Sequence, residues 1–161
     1  MDDFQIQLLP EQQFVVFVCS TTGQGEEPDN MKSFWKFMLR KDLSRSSLTK
    51  TQFGVLGLGD SSYPKFNFAA KKLHKRLLQL GADAIVNPGL ADDQHDLGPD
   101  AVVNPWLEEF WEKTLLLFPL PKGLIPLDMK LLLPSKYSIQ MISEEESNRD
   151  NDSEDQSHYS I

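Results

Sequence analysis

Three times along the chain an apolar stretch runs into a cluster of glycines, hydroxyls and acids, and each time a helical spacing of apolar residues follows. The first stretch, Phe14 to Cys19 (FVVFVC), stops at Ser20-Thr21-Thr22-Gly23-Gln24-Gly25. Its unbroken, β-branched character predicts a buried strand entering a loop. After Glu26, Glu27, Pro28 and Asp29, the residues Met31, Phe34, Trp35 and Met38 fall at i, i+3, i+4 and i+7, with Lys32, Lys36 and Arg40 mostly on the other side. This is an amphipathic helix with acids at its positive end and bases at its negative end, and its four apolar residues belong to the core.

The second unit begins with Phe53 to Leu58 (FGVLGL) and passes through Gly59-Asp60-Ser61-Ser62-Tyr63-Pro64. From Asn67 the pattern is helical again, with Ala70, Leu73, Leu77 and Leu80 inward and Gly81 as a C-terminal cap. The third begins at Ala84-Ile85-Val86 and leads through Gly89-Leu90-Ala91 into Asp92-Asp93-Gln94-His95-Asp96. A last helix starts near Pro99 and Asp100, burying Val103, Trp106, Leu107, Phe110 and Trp111 until Pro119-Leu120-Pro121 breaks it. Three strand-loop-helix units in series predict an α/β fold with a parallel sheet wrapped by helices.

Residues 1–121 are thus assigned to one domain, 122–142 to a proline-punctuated linker, and 143–161 to an acidic tail expected to be disordered. Within the linker, Pro134 to Ile139 has the look of a strand beginning. No internal repeat is found. At 161 residues and 40% hydrophobic, the chain has room for one core.

Charge and cysteine content narrow the function. The formal net charge of −8 opposes binding to a nucleic-acid backbone or an anionic membrane surface. A single cysteine, Cys19, excludes an internal disulfide and a cysteine-rich zinc site, and reads as a packed small side chain. Met1 is followed by Asp2 and Asp3, and no signal peptide or long apolar span is seen, so a cytoplasmic protein is expected.

In an open parallel sheet, ligands bind beyond the carboxyl ends of the strands, where all three polar loops lie. The first loop has the hydroxyls, glycine and amides of a phosphate cradle, but Glu26, Glu27 and Asp29 would repel a dianion there. A neutral ring with carbonyl and N–H edges suits it better. The second loop holds Tyr63, a flat aromatic placed to stack on a planar heterocycle. His95 lies among Asp92, Asp93 and Asp96, but these ligands are sequential on one loop and read as a solvated acidic turn. His74, flanked by Lys71, Lys72, Lys75 and Arg76, reads as a surface residue. Neither G-x-G-x-x-G nor G-x-x-x-x-G-K-[ST] occurs, which argues against other nucleotide-binding doubly wound folds.

Three motifs in order, Ser20-Thr-Thr-Gly-Gln-Gly-Glu-Glu-Pro-Asp-Asn, Gly57-Leu-Gly-Asp-Ser-Ser-Tyr-Pro-Lys-Phe-Asn and Gly89-Leu-Ala-Asp-Asp-Gln-His-Asp, resemble the flavin loops of the NADPH-dependent diflavin oxidoreductases. The resemblance runs from about Glu11 to Pro134 and is strongest to the cytosolic branch that serves iron-sulfur protein assembly. It implies a flavodoxin-like doubly wound parallel sheet that binds FMN. Such a domain accepts electrons from a separate FAD- and NADPH-binding reductase module and passes them singly to an anamorsin-type iron-sulfur protein. FMN would carry the redox chemistry, so no side chain need be catalytic.

Carried over by position, the resemblance places Ser20, Thr21, Thr22 and Gly23 along the isoalloxazine ring. Leu58, Gly59, Asp60, Ser61, Ser62, Pro64, Lys65, Phe66 and Asn67 would wrap its other side, with Tyr63 stacked on it and Asp93 approaching from the third loop. Thr22 departs from the cytochrome P450 reductase branch, which has an aromatic there. The start departs further: the family's first strand and its phosphate-holding glycine loop have no counterpart, so the domain is read as N-terminally truncated. That reading predicts an exposed apolar edge on the Phe14 to Cys19 strand. A second reading follows from it, a non-catalytic fragment that binds flavin poorly and only contacts the parent enzyme's partners.

Overall fold

A computed structural model describes residues 1–125. The strands form where the apolar runs predict them: β1 is Phe14–Ser20 and β2 is Gln52–Gly59. They pair in parallel, with Phe14 opposite Gln52 and Ser20 opposite Leu58. The expected third strand is instead two short ones, β3 (Asp83–Ala84) and β4 (Gly89–Asp92). Both pair in parallel with β2 on the side away from β1, β3 at its start and β4 at its end. Pro88, which has no N–H to give to a ladder, lies in the break between them. Ile85 and Val86, assigned to strand, lie in that break and are still buried.

Helix α1 (Lys32–Met38) follows a 3-10 turn at Asp29–Met31, and a second 3-10 segment, Ile6–Glu11, has no forerunner in the sequence reading. Helices α2 (Phe68–Gln79) and α3 (Asp100–Leu117) complete the described elements. One face of the sheet, through Phe17, Cys19, Phe53 and Val55, packs on Phe34, Trp35 and Met38 of α1 and Leu73 and Leu77 of α2. The other face packs Leu56 with Ile85, Val86, and Trp106 and Phe110 of α3. Met31, Phe34, Trp35 and Met38 are all buried, as their spacing requires.

Seven residues are too few for α1 to persist on its own. Its C-terminal end is completed from outside: the Arg76 guanidinium of α2 donates from Nε to the Met38 carbonyl at 2.7 Å and from NH2 to the Arg40 carbonyl at 3.2 Å. Gly81, at φ +91°, ends α2 in the left-handed conformation expected of its cap.

Two side chains differ from the sequence reading. Trp111 was assigned to the core but is 46% exposed, lying edge-on to Phe110. His74 was assigned to the surface but is half-buried, its ring 5.4 Å from that of Phe53 and its Nε2 without a partner among the described residues. Burial pushes its pKa down. On β1, Val16 is 40% and Val18 51% exposed.

Residues 1–122 form one compact unit. The acidic tail, the suggested strand at 134–139 and all of the linker beyond residue 125 lie outside the described residues.

Candidate functional site

The three polar loops meet at the carboxyl edge of the sheet and enclose a cleft of about 840 Å³. That is within the roughly 300–1,000 Å³ typical of small-molecule sites. Thr21, Thr22 and Gly23 line it from the first loop; Leu58, Gly59, Asp60, Tyr63, Pro64, Lys65, Phe66 and Asn67 from the second; and Asp93 from the third. Ser20, Ser61 and Ser62 were assigned to the same site but do not line the cleft. Gln24 and Pro99 line it and were not singled out.

The first loop turns back on itself. Thr22 and Glu26 form a bridge in which the Thr22 N–H donates to the Glu26 carbonyl at 2.9 Å and the Glu26 N–H returns to the Thr22 carbonyl at 2.9 Å. The Thr22 hydroxyl donates to the Glu26 carbonyl at 3.3 Å, within the loop. Gly25 sits at φ +94°, where a Cβ would come within 2.8 Å of Lys65 Cδ, so the turn packs directly on the second loop. The Thr21 hydroxyl accepts the Ala69 N–H at 3.2 Å and ties the first loop to the start of α2.

The second and third loops are joined by three bonds. The Ser61 N–H donates to Asp92 Oδ1 at 2.8 Å, the Asp93 N–H to the Gly59 carbonyl at 2.8 Å, and Asn67 Nδ2 to the Ala91 carbonyl at 2.9 Å. The Ser61 side chain, then the Ser61 and Gln94 amides, hold the Asp92 carboxyl below its ordinary range. Asp60 is occupied within its own turn, accepting the Ser62 N–H at 2.8 Å and the Ser62 hydroxyl at 2.6 Å. Ser61 and Ser62 therefore build the loop and do not face the cleft. Asn67 is fully buried at φ +51° against Gly57 and Gly59, where a Cβ would meet its side chain at 2.6 and 2.8 Å. These joints leave Tyr63 projecting, 60% exposed, at the mouth of the cleft.

The arrangement suits a flat ring: an aromatic platform on one side, and the backbone of Thr21, Thr22, Gly23 and Gly59 within reach of its edges. It suits a phosphate dianion less. Among the described lining residues Lys65 is the only cation, against Asp60 and Asp93. The first two amides of α2 are engaged, Phe68 N–H by the Lys65 carbonyl and Ala69 N–H by the Thr21 hydroxyl. The described residues accordingly fit the ring end of FMN and provide no amide nest for its phosphate. They also contain no cluster of His, Cys, Asp and Glu able to hold a metal ion, and no described helix is long and apolar enough to cross a membrane.

A parallel sheet with a cleft at its carboxyl edge is the arrangement of a doubly wound domain, and the flavodoxin family model matches residues 1–106. The chain belongs to the flavodoxin family, whose fold binds FMN. Among curated proteins it is similar to NADPH-dependent diflavin oxidoreductase 1 of Danio rerio, with 59% identity over 89% of this chain and 24% of the relative. The protein of the same name from Mus musculus is 52% identical over the same shares, and that of Dictyostelium discoideum 47% identical over 88% and 23%. The chain thus spans about a quarter of the length of the curated relatives it matches. Among solved structures, a flavodoxin mutant from Pseudomonas aeruginosa is 30% identical over 63% of this chain and 66% of its own, with a TM-score of 0.53. Oxidised flavodoxin 1 from Bacillus cereus, 24% identical over 70% and 73%, shares the fold with a TM-score of 0.54.

Proposed function

We propose that the chain is the FMN-binding electron-transfer portion of a cytoplasmic NADPH-dependent diflavin reductase. In this reading it receives electrons from an FAD- and NADPH-binding module and delivers them to an anamorsin-type iron-sulfur protein. The observation that carries the proposal is the convergence of three separated loops on one cleft with Tyr63 at its mouth. FMN, when bound, supplies the redox chemistry, taking up electrons and releasing them one at a time.

The chain's own residues bind and orient. Tyr63 offers its face to the ring, and the turn at Thr22–Glu26 holds peptide groups along the ring edge. Asp92 and Asn67 keep the second and third loops in register, so the platform and the edge groups stay in fixed relation. Asp60 and Asp93 line the cleft, and Glu26 and Asp96 belong to the loops that form it, an acidic set that steers a basic partner surface and predicts association that weakens with salt.

The spent amides and the acids of the lining support a second reading, a fragment that holds flavin weakly and does no redox work. Titrating FMN and riboflavin into the 161-residue chain, followed by fluorescence quenching, separates the two. Charge-assisted hydrogen bonds are each worth roughly 1.5–3 kcal/mol, so a built phosphate site would favour FMN by orders of magnitude. Similar, modest affinities for both flavins support a ring-only site in this chain. Binding of neither flavin overturns the flavin reading.

A further inference from the structure

We propose that Lys72 is a positioning residue for the flavin ring, clamping the first loop onto α2 so that the wall of the cleft at Thr21 to Gln24 is already set when a ring arrives. The inference rests on the flavin reading and deepens it.

Lys72 Nζ donates to Glu27 Oε2 at 3.1 Å, and the two side chains are only 29% and 21% exposed. The other ion pairs among the described residues, Lys32–Asp29, Arg40–Asp42 and Lys113–Glu109, join near neighbours in sequence and are more exposed. Pairs of that kind hold little in place. Lys72 and Glu27 are 45 positions apart and join a loop of the cleft to a helix. The Lys72 ammonium also lies 5.4 Å from the centre of the Trp35 ring on α1 and 5.2 Å from that of Phe68, one turn back on α2. Both rings are within cation–π range, so a single charge engages the loop and both helices on this face of the sheet.

Neither Lys72 nor Glu27 lines the cleft, so the clamp acts through Thr22, which does. The Thr22 hydroxyl is shared between the Glu26 carbonyl at 3.3 Å and the Glu27 carbonyl at 3.4 Å. The loop's other ties to its surroundings, the Thr21 hydroxyl on the Ala69 N–H and Gly25 against Lys65, come earlier in the chain. Glu27 therefore holds the loop where it leaves the Thr22–Glu26 turn. The buried set of α2 is Ala69, Ala70, Leu73 and Leu77, so removing the Lys72 charge spares the core. A wall that is set only part of the time binds the ring with its affinity reduced by that fraction.

The test uses the full chain with riboflavin as probe, in Lys72→Met, Glu27→Gln, the double variant and Lys72→Arg, at a temperature where urea curves show each to be folded. Lys72→Met and Glu27→Gln should each weaken binding about 3- to 10-fold, as a clamped fraction of roughly 0.1–0.3 requires. The double variant should be no weaker than the weaker single one, because the two residues act as one pair. Lys72→Arg keeps the charge and stacks on aromatic rings, and should stay within about 2-fold of the parent. Without flavin, exchange of the Thr22 and Glu26 amides should quicken in Lys72→Met while the amides of β2 stay protected. Riboflavin binding to Lys72→Met as tight as to the parent overturns the proposal and leaves the flavin reading standing. So does equal weakening in Lys72→Arg, unchanged exchange at Thr22 and Glu26, or exchange that quickens in β2 as well, which assigns the effect to the fold as a whole. A parent chain that binds no flavin overturns the flavin reading and this proposal together.

Discussion

Asn67 is the residue on which the joint between the second and third loops should stand or fall. It is fully buried, in left-handed conformation at φ +51° and ψ +31°, and its Nδ2 donates to the Ala91 carbonyl, itself fully buried. Asn67→Ala perturbs two things. An L residue without a side chain that bonds locally is disfavoured in this region by roughly 1–2 kcal/mol. The Ala91 carbonyl loses its side-chain donor but keeps the Gly59 N–H of the β2–β4 ladder, so the lost bond costs about 0.5–1.5 kcal/mol. Removing Oδ1, which has no partner among the described residues, gives part of this back, leaving an expected loss of about 1–3 kcal/mol. Asn67→Gly relieves the backbone but still loses the donor, so it should be less destabilised than the alanine variant by about 1 kcal/mol. Urea unfolding followed by tryptophan fluorescence measures both. If the alanine variant lies within about 0.5 kcal/mol of the parent, or the glycine variant is the less stable, the reasoning about this joint is wrong.

Gly54→Ala would place a Cβ 2.5 Å from the Phe110 ring, and the urea midpoint should fall by the equivalent of about 1–3 kcal/mol. Tyr63→Ala should leave stability within about 0.5 kcal/mol because the side chain is largely exposed, while flavin affinity falls about 2- to 10-fold by fluorescence titration. His74 is favoured in its neutral form by burial, so its folded pKa lies below the unfolded value and the unfolded chain binds the proton more readily. Stability should therefore drop as pH falls from 7 toward 5, and His74→Phe should flatten that part of a melting-temperature profile. Burial pushes the Cys19 thiol up to about 11, so alkylation near neutral pH should be slow in the folded chain and become fast in urea.

Much of this architecture was legible because its signals are local. A continuous apolar run ending in hydroxyls and glycines identifies a parallel strand and its loop at Cys19–Ser20 and again at Leu58–Gly59. The helical period of Met31, Phe34, Trp35 and Met38 identifies a buried face. What was missed depends on tertiary contact. His74 carries charged neighbours on both sides, and only the approach of Phe53 from β2 buries its ring. Trp111 follows Phe110 but falls on the outer side of α3. Ser61 and Ser62 have the composition of ligand-facing residues, yet Asp92 and Asp60 accept their donors. Gln24 and Pro99 reach the cleft by loop geometry alone, and neither has a side chain that announces it.

The two Arg76 bonds to the end of α1 also bear on how the molecule opens. A seven-residue helix finished by a side chain from another helix cannot form ahead of that helix, and it loses its termination whenever the two separate. The crossover between Ser20 and Gln52 should therefore be the least cooperative part of the unit, exchanging its amides through partial unfolding while β2 and α2 remain intact. One wall of the cleft, at Thr21 to Gln24, belongs to that crossover. Partial opening there should loosen that wall while the rest of the unit stays folded.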